Sequence, residues 1–215
     1  MITTKNAIIR LSRYKSALAR LRNLGFVKVF SDNLADAVGV TAAQVRKDFS
    51  LFGITGHRRG GYQIDALIEK LNSLLGKDNL QKVIVVGCGN IGSALMKYKG
   101  FEQEGIKIVA GFDSSGTSVK KSSEVPILSV DELQSFVSKH KIHIGVIAVP
   151  EAAAQAVLDQ MVAAGIKGIL NFAPIRLRAP ENIVINNVNL VLELESVVYF
   201  TRAVEKNPQA LVEGG

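Results

Sequence analysis

Apolar residues in the first third of the chain fall at helical spacing. Ile8, Leu11, Leu18 and Leu21 mark one stripe of a helix running to about residue 24, with Thr3 or Thr4 as its cap. Gly25 stands where a helix can end in a left-handed residue. Residues 31–38 predict a short helix capped by Ser31, with acidic residues in its first turn, and Gly39-Val40 makes a turn. Thr41 and Gln44 form a capping box, opening a helix to about Phe52 with Gly53 behind it. On this helix Val45, Phe49 and Phe52 share the core face. Ala43, Gln44, Lys47 and Ser50 point away, with Arg46 at the edge. Residues 54–64 read as two β stubs around a tip with three glycines, His57, Arg58 and Arg59. An amphipathic helix over 65–75 puts Ile68, Leu71 and Leu75 on one face, with Gly76 at its end.

Beyond a linker at 77–81 the pattern changes. Residues 83–86 are a β-branched run of the kind buried on both faces of a sheet, and a helical segment covers 93–98. Strands are expected at 106–112, 143–149, 168–172 and 182–186, a short irregular piece at 125–128, and helices at 130–140 and 151–164. Such alternation predicts a parallel sheet with helices on both faces. The fold class is therefore α/β: an N-terminal winged helix-turn-helix domain over 1–77 and a Rossmann-type domain over 78–188. Residues 189–204 are apolar-rich. Their Leu-Glu-Leu-Glu stretch suits a strand, while Leu190, Leu194, Val197, Val198 and Thr201 also fit one helical face. Such a segment needs somewhere to bury, another subunit included. Residues 189–207 thus form a C-terminal unit, and 208–215 a frayed tail.

Length and composition narrow the class. A chain of 215 residues, 47% hydrophobic, can build one large or two small cores. No run approaches the roughly 20 apolar residues of a membrane span, and the first residues lack the layout of a signal peptide. The single cysteine, Cys88, rules out an intramolecular disulfide framework. A cytoplasmic protein with no membrane partner is the expectation. No Cys/His cluster has metal-ligand spacing, so no metal is expected. The formal charge of +7 is uneven: residues 1–77 hold 13 Lys/Arg against 5 Asp/Glu, and residues 78–215 hold 13 against 14. The basic third alone calls for a polyanionic partner.

Two constellations carry the chemistry. Two short helices around a glycine turn are the helix-turn-helix pattern, whose second helix enters the major groove of double-stranded DNA. Gln44, Arg46, Lys47 and Ser50 are the candidates for base edges and phosphates, with Arg10 of the first helix added to the set. Arg58 and Arg59 resemble wing arginines that reach a flanking minor groove. The second constellation is Gly87-Cys88-Gly89-Asn90-Ile91-Gly92, directly after a strand and opening a helix. Gly87 permits the tight turn, Gly89 the approach of a pyrophosphate, and Gly92 close helix–strand packing. Asp113 ends the next strand, where a carboxylate accepts from ribose hydroxyls and disfavours a 2′-phosphate, so NAD(H) is preferred to NADP(H). Lys120 and Lys121 are the nearby cations. Tyr98, Val149 and Pro150 complete the cofactor candidates. The expected strand ends carry no His, Lys or metal cluster, since His140, His143 and Lys167 precede their strands. No catalytic residue is assigned: the site is read as holding a dinucleotide without turning it over.

Together these residues resemble the Rex family of bacterial redox-sensing repressors over nearly the whole chain. The likeness rests on Val40-Thr-Ala-Ala-Gln-Val-Arg-Lys-Asp48, Ser50-Leu-Phe-Gly53, Arg59-Gly-Gly-Tyr62, the Gly87 fingerprint with Tyr98-x-Gly-Phe101, and Gly165-Ile-Lys-Gly-Ile-Leu-Asn-Phe-Ala-Pro174. It implies a homodimer with a swapped C-terminal helix packed near the partner's winged helix, and repression of fermentative or respiratory genes that NADH relieves over NAD; the twofold symmetry of such a dimer predicts an inverted-repeat operator. Many members carry Asp where Asn189 stands and some carry Arg near Ser16, so an ion pair at those positions is unavailable to this chain. Two other functions are compatible with the residues alone: a small NAD-dependent oxidoreductase with an accessory basic domain, and an architectural DNA binder with a vestigial nucleotide fold.

Overall fold

The computed structural model describes residues 5–56, 60–114 and 125–206. The chain divides into two compact units, Met1–Leu80 and Gln81–Gly215.

In the first unit, helix α1 (Lys5–Asn23) is followed by strand β1 (Lys28–Val29), helices α2 (Ser31–Val38) and α3 (Ala42–Leu51), strand β2 (Tyr62–Gln63) and helix α4 (Ile64–Leu74). The core-facing side of α1 is Ala7, Leu11, Tyr14, Ala17 and Leu18. Of the expected stripe, Leu11 and Leu18 are buried and Leu21 is half-buried, while Ile8 is exposed and Tyr14 joins the core in its place. Tyr14 and Tyr62 both meet Phe49 of α3 edge-to-face, at centroid distances of 5.5 and 5.0 Å, a favoured arrangement of ring quadrupoles. Ser31 lies one position inside α2 rather than capping it. The cap position is Phe30, whose backbone N–H donates to Asn33 Oδ1. Gly39, at φ 72°, turns the chain from α2 toward α3. Thr41 caps α3 by accepting from Gln44 N–H at 3.1 Å. Of the two β stubs expected over 54–64, the described residues 54–56 form no strand. The second stub, β2, pairs antiparallel with β1 from before α2. His57, Arg58 and Arg59 lie outside the described residues.

The second unit contains β3 (Gln81–Val86), α5 (Asn90–Met96), α6 (Gly100–Gln103), β4 (Ile106–Asp113) and β5 (Ile127–Ser129). A 3-10 turn (Val130–Glu132) then leads into α7 (Leu133–His140), β6 (Ile144–Ile147), α8 (Glu151–Ala163), β7 (Gly168–Asn171), β8 (Val184–Asn187) and α9 (Leu190–Lys206). Six strands form one parallel sheet in the order β5-β4-β3-β6-β7-β8. This is the doubly wound order, with the chain reversing direction across the sheet between β3 and β6. Alternation along β3 sends Ile84 and Val86 to the side packed by Leu133, Val137, Leu158 and Met161. Val83 and Val85 face the side of Leu95, Met96 and Phe101.

Several boundaries differ from expectation. Residues 127–129 are an edge strand rather than irregular chain, and α5 begins at Asn90 rather than 93. The last segment is a helix, which settles its two readings. Asn189 caps it, Oδ1 accepting from Val191 and Leu192 N–H at 3.0 and 3.3 Å. No residue described on α9 is buried, and its large apolar side chains from Leu190 to Phe200 are 45–68% exposed.

Candidate functional site

The candidate nucleotide site is assembled at the carboxyl ends of the neighbouring strands β3 and β6. Gly87 leaves β3 at φ 94°, a conformation that L side chains rarely adopt. A Cβ there would also stand 2.6 Å from Ala148 O and 2.8 Å from Val149 Cγ1. The contact brings the end of β6, with Val149 and Pro150, against the fingerprint. Gly92 is buried, and a Cβ on it would collide with Gly87 O, so the helix sits directly on the turn. Gly89 is the opposite case. Nothing lies within 4 Å of its would-be Cβ, which leaves open space for a pyrophosphate against bare backbone. Asn90 and Ile91 form the first turn of α5, whose opening amides have no intrahelical acceptor. The residues present therefore fit a dinucleotide.

Asp113 ends β4, and its Oδ2 accepts from Cys88 N–H at 2.8 Å. The carboxylate thereby joins the end of β4 to the glycine turn. Burial, and secondarily the negative charge of Asp113, push the Cys88 thiol up to about 11. The group is therefore protonated at neutral pH and is no nucleophile. Gly111, beneath the turn, leaves room for the sulfurs of Met96 and Cys88, which would stand 2.6 and 2.8 Å from a Cβ at that position. Tyr98 is not brought to the fingerprint. It follows the far end of α5, is 62% exposed, and packs edge-to-face on Phe101 at 5.0 Å. Lys120 and Lys121 lie outside the described residues. His143 and Lys167 precede β6 and β7, at the edge of the sheet opposite the glycine turn. Among the described residues no group of three or more His, Cys, Asp or Glu could hold a metal.

Asn171 was not singled out by the sequence, yet it is fully buried at the end of β7. Its Nδ2 lies 2.9–3.1 Å from Asn187 Oδ1, Ala173 O and Ile175 O, and its Oδ1 accepts from Ala173 N–H at 3.0 Å. The side chain fixes the loop that leaves the ligand edge of the sheet. An asparagine at the end of an apolar strand run was the available signal.

On the first unit, Arg46, Lys47 and Ser50 are exposed on α3, and Gln44 is half-buried. Arg10 is engaged within the protein. Its Nε and Nη2 donate to the two oxygens of Asp48 at 2.6 and 2.7 Å. Asp48 is only 2% exposed and also accepts from the Tyr14 hydroxyl and from Gln44 Nε2, each at 2.8 Å. Burial pushes the Asp48 carboxyl up, but the hydrogen bonds from Arg10, Tyr14 and Gln44 outweigh it and hold the group below its ordinary value. Burial and the bond to Asp48 push the Tyr14 hydroxyl up. Sequence reasoning missed Asp48. The lone acid on an otherwise apolar helix face was the signal.

Comparison with known proteins agrees with both halves. The family described as "CoA binding domain" matches residues 78–175, and the one described as "Putative DNA-binding protein N-terminus" matches residues 4–50. The redox-sensing transcriptional repressor Rex of Carboxydothermus hydrogenoformans is 43% identical, over 91% of this chain and 94% of its own. That of Pelotomaculum thermopropionicum is 41% identical, over 94% and 95%. A crystal structure of the repressor RSP with β-NAD+ and operator DNA is 32% identical, covers both chains fully and superposes with a TM-score of 0.87. RSP with β-NADH is 33% identical over 96% of both chains, with a TM-score of 0.81. Identity at this level over nearly the full length places the chain in the Rex family of redox-sensing transcriptional repressors.

Proposed function

We propose that this chain represses transcription as a homodimer on an inverted-repeat operator and releases the DNA when NADH displaces NAD at the Gly87–Gly92 turn. The observation that carries the reading is the nucleotide cradle itself: open space at Gly89, closed packing at Gly87 and Gly92, and Asp113 tied to Cys88 N–H. It occurs in a chain whose first unit presents Arg46, Lys47 and Ser50 on a glycine-flanked helix. Gly87, Cys88, Gly89, Asn90, Ile91, Gly92 and Asp113 take the ADP half, with Val149 and Pro150 bordering it. Gln44, Arg46, Lys47 and Ser50 face the major groove, and the Arg58–Arg59 pair faces the minor groove.

NADH is a sensed ligand here and is not turned over. In support, His143 and Lys167 stand at the opposite edge of the sheet, and the Cys88 thiol is held protonated. The protein works in the cytoplasm, in keeping with its membership of a family of transcriptional repressors. Dimerisation uses α9, whose exposed apolar residues lack cover within the described chain. In the dimer the α9 segment of one protomer reaches its partner, and Tyr98 and Phe101 then meet the nicotinamide ring. Ser16 donates to Ser12 O and Asn189 caps α9, so the switch in this chain runs without an ion pair at these two positions.

A labelled inverted-repeat duplex, selected by the protein from a randomised pool, tests the reading by fluorescence anisotropy. Binding in the presence of NAD and release by NADH, without loss of the NADH absorbance when carbonyl compounds are added, is expected. Binding indifferent to both nucleotides, or oxidation of NADH, refutes it.

A further inference from the structure

We infer that Asp48 is a positioning residue for base reading: it fixes the side-chain amide of Gln44 toward one base pair in each half-site. The inference rests on the DNA-binding reading above and adds to it the source of its specificity. An ionised carboxylate offers about four acceptor sites and no donor. All four are used. Oδ2 receives Arg10 Nε and the Tyr14 hydroxyl, and Oδ1 receives Arg10 Nη2 and Gln44 Nε2. Because the carboxylate can only accept, the Gln44 amide must turn its nitrogen toward Asp48, and its orientation follows from chemistry alone. The Thr41 cap independently pins the backbone of Gln44. One N–H is thus spent on Asp48, while the second N–H and the amide oxygen have no protein partner among the described residues. A donor beside an acceptor on one planar amide complements adenine in the major groove, where N7 accepts and the N6 amino group donates. Arg10 and Tyr14 belong to α1, so the same carboxylate also holds the reading helix against the body of its unit. Arg10, counted at first among the DNA contacts, acts on DNA through Asp48.

Selection of bound duplexes from a randomised pool by the full-length protein, followed by sequencing, tests this. The wild type is expected to prefer an A·T pair by roughly fivefold or more at one position per half-site. Gln44→Ala should erase that preference, and Asp48→Asn should erase or alter the same preference while leaving the other positions intact. The double variant Gln44→Ala/Asp48→Asn should be no flatter than Gln44→Ala alone. Lys47→Ala provides the contrast, with weaker binding and the Gln44-dependent preference intact. Should Asp48→Asn not fold, Arg10→Gln/Asp48→Asn leaves no uncompensated charge and must show the same loss. A folded Asp48 variant that keeps the full preference overturns the inference, as does a Gln44→Ala protein with unaltered selection. A wild type that enriches no sequence at all overturns the DNA-binding reading itself.

Discussion

The carboxylate of Asp113 accepts a hydrogen bond from the backbone N–H of Cys88 across 2.8 Å, joining the end of one strand to the turn that follows another. The residue proposed to favour a ribose hydroxyl over a phosphate is therefore also a brace of the glycine turn. Asp113→Ala should lose on both counts. NADH affinity should fall by about tenfold or more, as expected for a lost charge-assisted bond of about 1.5–3 kcal/mol. The advantage of NADH over NADPH should disappear with it. Isothermal titration with the two cofactors checks this, and equal affinities in the unmodified protein would remove Asp113 from its role.

The glycines of the fingerprint separate into two physical classes, and alanine substitution should tell them apart. At Gly92 a methyl group collides with Gly87 O, so Gly92→Ala should lower stability by about 2 kcal/mol or more, as overpacking against backbone does. At Gly89 the same methyl enters open space. Gly89→Ala should melt with the wild type and yet bind NADH weakly, because the methyl occupies the approach of the pyrophosphate. Paired thermal melts and NADH titrations of both variants provide the check.

Acid should weaken the first unit through Asp48. Burial pushes its carboxyl up, and the bonds from Arg10, Tyr14 and Gln44 more than reverse this, leaving it below its ordinary 3.8. The unfolded chain therefore takes up the proton first. The stabilisation is complete well above 3.8 and is lost as pH falls through the lower folded value. Asp48→Asn should cost about 2 kcal/mol at neutral pH, the scale of a hydrogen-bonded charged group. The gap from the wild type should shrink at about pH 3 and below. Denaturant melts at the two pH values measure it, and a gap that widens in acid would contradict the assignment.

The parts of this structure legible in the sequence are those fixed by short-range sterics. Gly87 and Gly92 announce themselves because Ala148 O and Gly87 O leave no room for a side chain, and Gly89 because the fingerprint spacing keeps its backbone bare for a pyrophosphate. Val83 to Val86 reads as a buried strand because both faces are apolar. Pairing between distant segments was not legible. Strands β1 and β2 have two residues each, too few for any period, and they meet across α2 and α3. Asp48 and its partner Arg10 are 38 positions apart, and no local spacing links them. The start of α5 at Asn90 was hidden by asparagine and glycine, both poor helix formers. For α9 the periodicity was ambiguous because apolar residues surround the helix, and a helix exposed on every side has no core of its own to mark one face.

In the proposed switch the glycine turn and helix α3 are coupled, and coupling between two ligands is reciprocal. The direct measurement is the affinity of the full-length protein for NADH, titrated alone and again with saturating operator duplex. Operator should weaken NADH binding by the same factor by which NADH weakens operator binding, about 5- to 150-fold for a typical coupling. NADH affinity left unchanged by saturating operator would show two independent sites and contradict the account.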